Sequence, residues 1–241
     1  MAAKRKHYQR VLLKLSGEAL MGDQKFGVER KVCEHIARSV KEIHDFGLQI
    51  GIVVGGGNIF RGSQAVDFGF ARTPADHIGM LATTINGIIL QQALANVGVE
   101  SLVMSARSCD SIVETYNWNR AIHALAEGMI VIFVGGTGNP YFTTDTAAAL
   151  RASELKAEIL LKATKVDGIY SDDPMKNPKA VKYSSLTYNE ALAKNLKVMD
   201  ATALALCREN GIPIYVFNLF EKSSLLKAVR EKKGGSLISG E

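Results

Sequence analysis

The chain has 241 residues, 47% hydrophobic and 22% charged, the composition of a soluble globular protein that can bury a full core as one large α/β domain or two small ones. Its net charge of +5, a modest excess spread over the length, suits an enzyme handling polyanionic nucleotides as well as a nucleic-acid binder, and nucleotides are the expected partner. Cys33, Cys109 and Cys207, odd in number and in no metal-ligand spacing, read as free thiols of the cytoplasm. No apolar run is expected to span a bilayer, and no signal-like core follows Met1-Ala2-Ala3-Lys4-Arg5-Lys6-His7.

Apolar runs alternate with amphipathic stretches from the start. A strand is predicted near 10–15, a helix near 28–46, a strand near 48–54, a helix near 74–97, a strand near 99–105, a helix near 117–127 and a strand near 129–134. Val28, Val32, Ile36, Val40 and Ile43 form one stripe at spacings of three and four, and Gly47 stands where a left-handed helix stop belongs. Thr73-Pro74 reads as an N-cap and first-turn proline for the next helix, which runs to Gly98.

The alternation continues with a helix near 145–156, a strand near 158–163, a helix near 200–210, a strand near 212–217 opened by Pro213, a helix near 222–232 and a strand near 236–239. Between them, the turn pairs Asp172-Asp173-Pro174 and Asn177-Pro178 predict an excursion over 165–197, partly hairpin, before a short helix near 187–195. Strands apolar on both faces and joined by helices imply a mostly parallel sheet covered on both sides, with ligands at the strands' carboxyl ends. No linker or repeat divides the chain, so residues 1–241 are read as one domain, with 1–9 a flexible basic arm.

Three strand ends carry anion-binding chemistry. Met129 to Val134 empties into Thr137-Gly138-Asn139-Pro140-Tyr141-Phe142-Thr143-Thr144 at a helix start, Val11-Leu12-Leu13 into Lys14-Leu15-Ser16-Gly17, and Ile50 to Val54 into Gly55-Gly56-Gly57-Asn58. Neither the P-loop spacing nor the dinucleotide fingerprint is present, and the three glycines alone would equally mark a tight strand exit. Arg61 beside them offers a planar fork for a phosphate.

Lys14 sits inside an apolar run, where an ammonium is costly to bury unless an anion meets it, although a snorkelling edge lysine is the alternative. Lys162 and Lys165 repeat the arrangement after Ile159-Leu160-Leu161. Asp145 and Asp200, each at a helix start, could position those lysines or simply cap. No metal-ligand cluster appears among His7, His35, His44, His77 and His123, so no metal is expected from the protein itself.

Taken together, Leu13 to Leu20, Val54 to Gly62, Asp76 to Thr83, Thr137 to Thr146, Lys162 to Gly168 and Leu196-Lys197-Val198-Met199-Asp200 closely resemble the bacterial uridylate kinases, over nearly the whole chain in one register. That resemblance implies the amino acid kinase fold, a three-layer α/β/α sandwich with a mostly parallel central sheet. It implies phosphoryl transfer from ATP, carried with Mg2+, to UMP in pyrimidine nucleotide biosynthesis. By the resemblance, Lys14, Leu15, Ser16, Gly17, Gly57 and Arg61 hold ATP phosphates, and Thr164, Tyr170 and Asp173 line the adenosine site. Gly56, Arg61, Asp76 and Thr137 through Thr144 match UMP-binding positions, with Asp76 accepting from the ribose hydroxyls.

The stretch Gly22-Asp23-Gln24-Lys25-Phe26-Gly27 corresponds to a region linked to GTP activation; UTP inhibition and a homohexamer are also implied. Lys14, Lys162, Lys165, Asp145 and Asp200 are the expected catalytic group. UMP already carries a phosphate largely dianionic at neutral pH, so no general base is needed. Charge neutralisation and in-line positioning remain, which are tasks for lysines, backbone amides and Mg2+. The rivals are a carboxylate-phosphorylating member of the same fold and a regulator that binds DNA through Lys4-Arg5-Lys6.

Overall fold

The computed structural model describes residues 8–61, 65, 67–196 and 198–240. The basic residues Met1 to His7, and Gly62 and Lys197 of the resemblance motifs, lie outside the described residues. Tyr8 and Gln9, expected in the arm, are tied to the body instead: Lys232 sits over the Tyr8 ring, and the Gln9 N–H donates to Glu158.

One nine-stranded sheet organises the chain. In chain order its strands are β1 (Arg10–Leu15), β2 (Gln49–Val54), β3 (Ser101–Ser105), β4 (Glu114–Thr115), β5 (Ile130–Val134), β6 (Leu160–Thr164), β9 (Ser185–Leu186), β10 (Ile214–Asn218) and β11 (Gly235–Ile238). A separate antiparallel hairpin of β7 (Ile169–Tyr170) and β8 (Lys182–Tyr183) rises from the predicted excursion. The spatial order is β4-β3-β5-β2-β1-β6-β10-β11-β9, and every pairing is parallel except β10 with β11.

Helices cover both faces because the strands are apolar on both. Along β1, Val11, Leu13 and Leu15 face a core closed by α1 (Arg30–His44), α2 (Arg72–Ala95) and α7 (Ser224–Arg230). Leu12 faces the opposite core, closed by α3 (Trp118–Ala126), α4 (Thr144–Glu154), α5 (Tyr188–Ala193) and α6 (Ala201–Glu209). These are the three layers the resemblance implied.

Local chemistry explains the element ends. α1 stops before Gly47, whose φ of 80° is the left-handed stop that a residue without a Cβ adopts freely. Thr187 and Glu190 form a reciprocal capping box that starts α5.

Two expectations need correction at α2. The helix begins at Arg72, not Pro74, and its N-cap Ala71 makes no side-chain cap bond, since a methyl group offers no acceptor; Arg72 and Asp76 pair across the first turn. α2 is also 24 residues long and apolar enough, by length and composition, to cross a membrane, against the expectation that no run reaches that length. Its apolarity instead serves packing: Leu90 and Leu94 are fully buried in the core. Gly87 lets the helix approach β5 so closely that a Cβ would lie 2.4 Å from Val134 Cγ1.

Candidate active site

Strand order brings the three anion-type loops together. β5, β2, β1 and β6 are consecutive neighbours and run parallel, so the residues after each strand emerge side by side at one rim. Their sequence separation is closed by topology alone.

The loops after β1 and β2 meet backbone to backbone. A Cβ on Gly17 would lie 2.4 Å from Asn58 Oδ1 and 2.8 Å from the Gly57 nitrogen, and one on Gly55 would lie 2.8 Å from the Gly17 nitrogen. Glycine is required at both by close approach. Gly57 has only Glu18 Cγ, at 3.9 Å, near its own Cβ position, so its backbone faces open space.

Behind the loops, Asn58 and Asn86 are fully buried and bonded to each other at 2.6 and 3.0 Å. The Asn86 amide also donates to the Gly55 carbonyl at 2.7 Å, and that of Asn58 to the Gly27 carbonyl at 3.0 Å. The sequence reading missed Asn86; a carboxamide between Ile85 and Gly87 within the largely apolar run 78–90 is the signal that marks it.

The electrostatic centre lies one strand over. Lys14 and Lys162 are register partners on β1 and β6, and both reach Asp145 in the first turn of α4, at 2.7 and 2.8 Å. Burial pushes the Asp145 carboxyl up, but the two ammonium groups outweigh it and hold it below the usual carboxylate range. Burial lowers Lys162 below the ordinary lysine value, against the pull of Asp145 and with Lys14 adding to the depression. Two cations share one carboxylate at ion-pair distance in a largely buried site, with Asp200 adding a weaker pull on Lys162, and a phosphate would find both ammonium groups side by side.

Asp200 takes the capping role of its two expected ones, while its charge still acts on Lys162. It forms no ion pair with a lysine among the described residues; it caps α6 through the Ala203 N–H at 2.8 Å and accepts from the hydroxyls of Thr143 and Thr146. It therefore braces the starts of α4 and α6, since hydroxyl donors stood closer than any lysine. Thr143 is itself the N-cap of α4. Lys165 is exposed in the turn after β6 and takes no part in the Asp145 cluster.

On the β2 and β5 side, a cavity of about 300 Å³ is lined by Gly56 and Gly57, by Asp76, Gly79 and Thr83 of α2, and by Gly136, Thr137, Phe142, Thr143 and Thr144. The 137–144 loop thus faces the glycine loop across the cavity. Gly138, with φ of 82°, sits 3.0 Å by its Cβ position from the Ala106 carbonyl, while Asn139, Pro140 and Tyr141 carry the chain back towards α4. Arg61, expected at both nucleotide sites, is not among the cavity-lining residues; it bonds the Gly57 carbonyl at 3.1 Å and pairs with Glu18 at 3.2 Å.

On the β6 side, Leu15 closes β1 and Ser16 caps the following 3-10 turn, accepting from the Ala19 N–H. Thr164 ends β6 beside Asn218, and its hydroxyl donates to the Val166 carbonyl at 2.6 Å. Tyr170 of β7 donates to Asp167, which also holds Lys182. Asp173 is exposed and organises its own turn by accepting from the Met175 N–H. The stretch Gly22 to Gly27 is a loop between the 3-10 turn and α1, clasped at Gly27 by Asn58, with Phe26 exposed.

A helix-covered parallel sheet with anion-type loops and paired lysines at its carboxyl rim defines a phosphotransferase-like class. The amino acid kinase family model matches residues 9–218, and the chain belongs to that family. It is 60% identical over 211 residues, 88% of this chain and 84% of the other, to a uridylate kinase of Protochlamydia amoebophila (strain UWE25).

Among solved structures it is similar to UMP kinase from Ureaplasma parvum, at TM-score 0.92 and 40% identity over 98% of this chain and 100% of that one. It is likewise similar to UMP kinase from Bacillus anthracis, at 0.93 and 40% over 97% of each. These similarities group the chain with the bacterial uridylate kinases.

Proposed function

We propose that this protein transfers the terminal phosphoryl group of ATP to UMP, giving UDP and ADP, as one catalytic domain of the cytoplasm. The observation that carries the reading is the Lys14, Asp145 and Lys162 cluster at the carboxyl rim of the sheet, next in sequence to Thr144 of the cavity that Gly57 and Asp76 also line. Lys14 and Lys162 neutralise charge on the phosphoryl group in flight, Asp145 holds both ammonium groups in position, and Asp200 fixes the helix that presents Asp145.

The acceptor side is Gly56, Asp76 and Thr137 through Thr144, with Arg61 reaching phosphate from outside the cavity lining. The donor side is Lys14 to Gly17 and Gly57, with the base towards Thr164, Tyr170 and Asp173. No group of three or more His, Cys, Asp or Glu side chains among the described residues could cage a metal, and the Asp145 carboxylate at the rim is already engaged by Lys14 and Lys162. Mg2+ held on the triphosphate fits that donor set and would supply further charge neutralisation.

GTP acts through Gly22 to Gly27 in this reading, supported by the Asn58 clasp that joins the stretch to the glycine loop. UTP inhibits by occupying the acceptor side, and the working unit is a homohexamer. The exposed stripe Leu81, Ile85 and Ile88, at helical spacing on α2, supports self-association.

A coupled ADP-release assay offering UMP, CMP, dUMP, acetylglutamate and aspartate, with and without GTP, tests the reading. UMP is expected to be the preferred acceptor. Preference for either amino acid overturns it.

A further inference from the structure

We infer that Arg72, with the backbone N–H of Tyr141, sets the orientation of the Asp76 carboxylate and thereby the preference of the acceptor site for a ribose over a deoxyribose. This rests on the UMP reading above and extends it to a residue outside the cavity lining.

Three observations converge. Arg72 Nε lies 3.0 Å from Oδ1 and 2.8 Å from Oδ2 of Asp76, across one turn of α2. The Tyr141 N–H donates to the same Oδ2 at 2.7 Å. The Arg72 guanidinium also stands 5.3 Å from the centre of the Tyr141 ring. Arg72 therefore grips the carboxylate and the loop that crosses it.

The distribution of donors gives the consequence. Oδ2 is engaged by two N–H groups, whereas Oδ1 shares only the longer Arg72 contact and keeps acceptor capacity for the cavity that Asp76 lines. A carboxylate held on one edge presents a fixed acceptor to vicinal hydroxyls, and a rotating one discriminates poorly between two hydroxyls and one.

Tyr141 adds a constraint. Its φ of 72° is left-handed, costly for a residue with a Cβ, and its N–H bond to Asp76 offsets that cost. The latch thus ties the α2 turn to the 137–144 loop, so loss of Arg72 leaves the carboxylate on the single Tyr141 N–H, about which it can turn, while the Lys14 and Asp145 cluster stays whole.

The test is steady-state kinetics of the full chain and of R72A and R72K, with UMP and dUMP as acceptors at saturating ATP. The Arg72 side chain is 57% exposed, so both variants are expected to fold, and a thermal melt verifies it. R72A should raise KM for UMP about fivefold, the scale of an exposed ion pair, and KM for dUMP less than about twofold, with kcat for UMP within about twofold. R72K should recover part of the loss.

Equal changes for both acceptors, unchanged KM for UMP, or a loss confined to kcat would each overturn the role of Arg72. Failure of the unmodified protein to turn over UMP would instead overturn the reading on which it rests.

Discussion

Lys14 and Lys162 lie opposite each other on adjacent parallel strands and converge on one carboxylate, Asp145. Two ammonium groups side by side repel, so Asp145 is as necessary to their proximity as the sheet register. Asp145→Asn should leave two buried cations without their counter-ion, lowering stability by about 3–5 kcal/mol and abolishing turnover. Lys14→Met should keep the fold and lose turnover. Denaturant melts beside the ADP-release assay check both; near wild-type phosphorylation of UMP by the Lys14 variant would refute its assignment.

The pH dependence follows from the same cluster, with opposite signs for activity and stability on the alkaline side. Burial places the Lys162 pKa below the ordinary lysine value, so the folded protein releases that proton first as pH rises. Within that window the unfolded chain binds more protons, and stability should increase with pH. Activity needs the ammonium, so kcat/KM should fall along a limb below the ordinary lysine value of about 10.4. Bound phosphates favour the charged form, which should put the kcat limb at higher pH.

On the acid side, Asp145 is held below the usual carboxylate range. Its contribution to stability should be complete above the ordinary carboxylate pKa of about 3.9 and lost as pH falls through its lowered folded value. Thermal melts across both ranges check these signs; in Asp145→Asn the acid component should shrink by the share of Asp145, while that of Asp167, also held low beside Lys182, remains.

Gly17 and Gly55 should refuse any side chain. Gly17→Ala drives a Cβ into Asn58 Oδ1 and the Gly57 nitrogen, groups held by the Asn58–Asn86 pair and by backbone. A stability loss of about 1–3 kcal/mol is expected, with a larger proportional loss in ATP affinity, measured by denaturant titration and nucleotide binding. Gly27→Ala meets nothing within 4 Å and should show only the backbone cost of its φ of 85°.

Asn86→Leu removes donors to the Gly55 carbonyl and to Asn58, leaving buried acceptors unpaired. About 1–3 kcal/mol should be lost per orphaned group, and nucleotide binding should weaken because the glycine loop is released. A melt together with titration of ATP and UMP measures the two effects separately.

If copies of the chain cover the α2 stripe, Ile85→Asp should shift the mass in analytical ultracentrifugation towards a smaller species while the monomer fold survives, since Ile85 is 48% exposed. Unchanged assembly would remove α2 from the interface.

Much of this molecule is legible in the chain. Period and run length predict the strands near 10–15, 48–54 and 129–134 and the α1 helix, because apolar spacing and strand-end glycines are local signals that tertiary packing has no reason to override. The family motifs likewise mark Lys14, Asp145 and Asp76 one by one.

What local pattern does not carry is which strands become neighbours. The order β5-β2-β1-β6 decides that loops more than a hundred residues apart share a rim, and the register decides that Lys14 meets Lys162. The partner of Asp200 also emerged only in three dimensions, since a helix-start aspartate reads the same whether hydroxyls or a lysine stand nearby. Sequence determines which side chains can bear charge and which segments bury themselves. Tertiary structure decides which charges face each other, because electrostatic energy depends on separation in space and the chain specifies that separation only after its layers have packed.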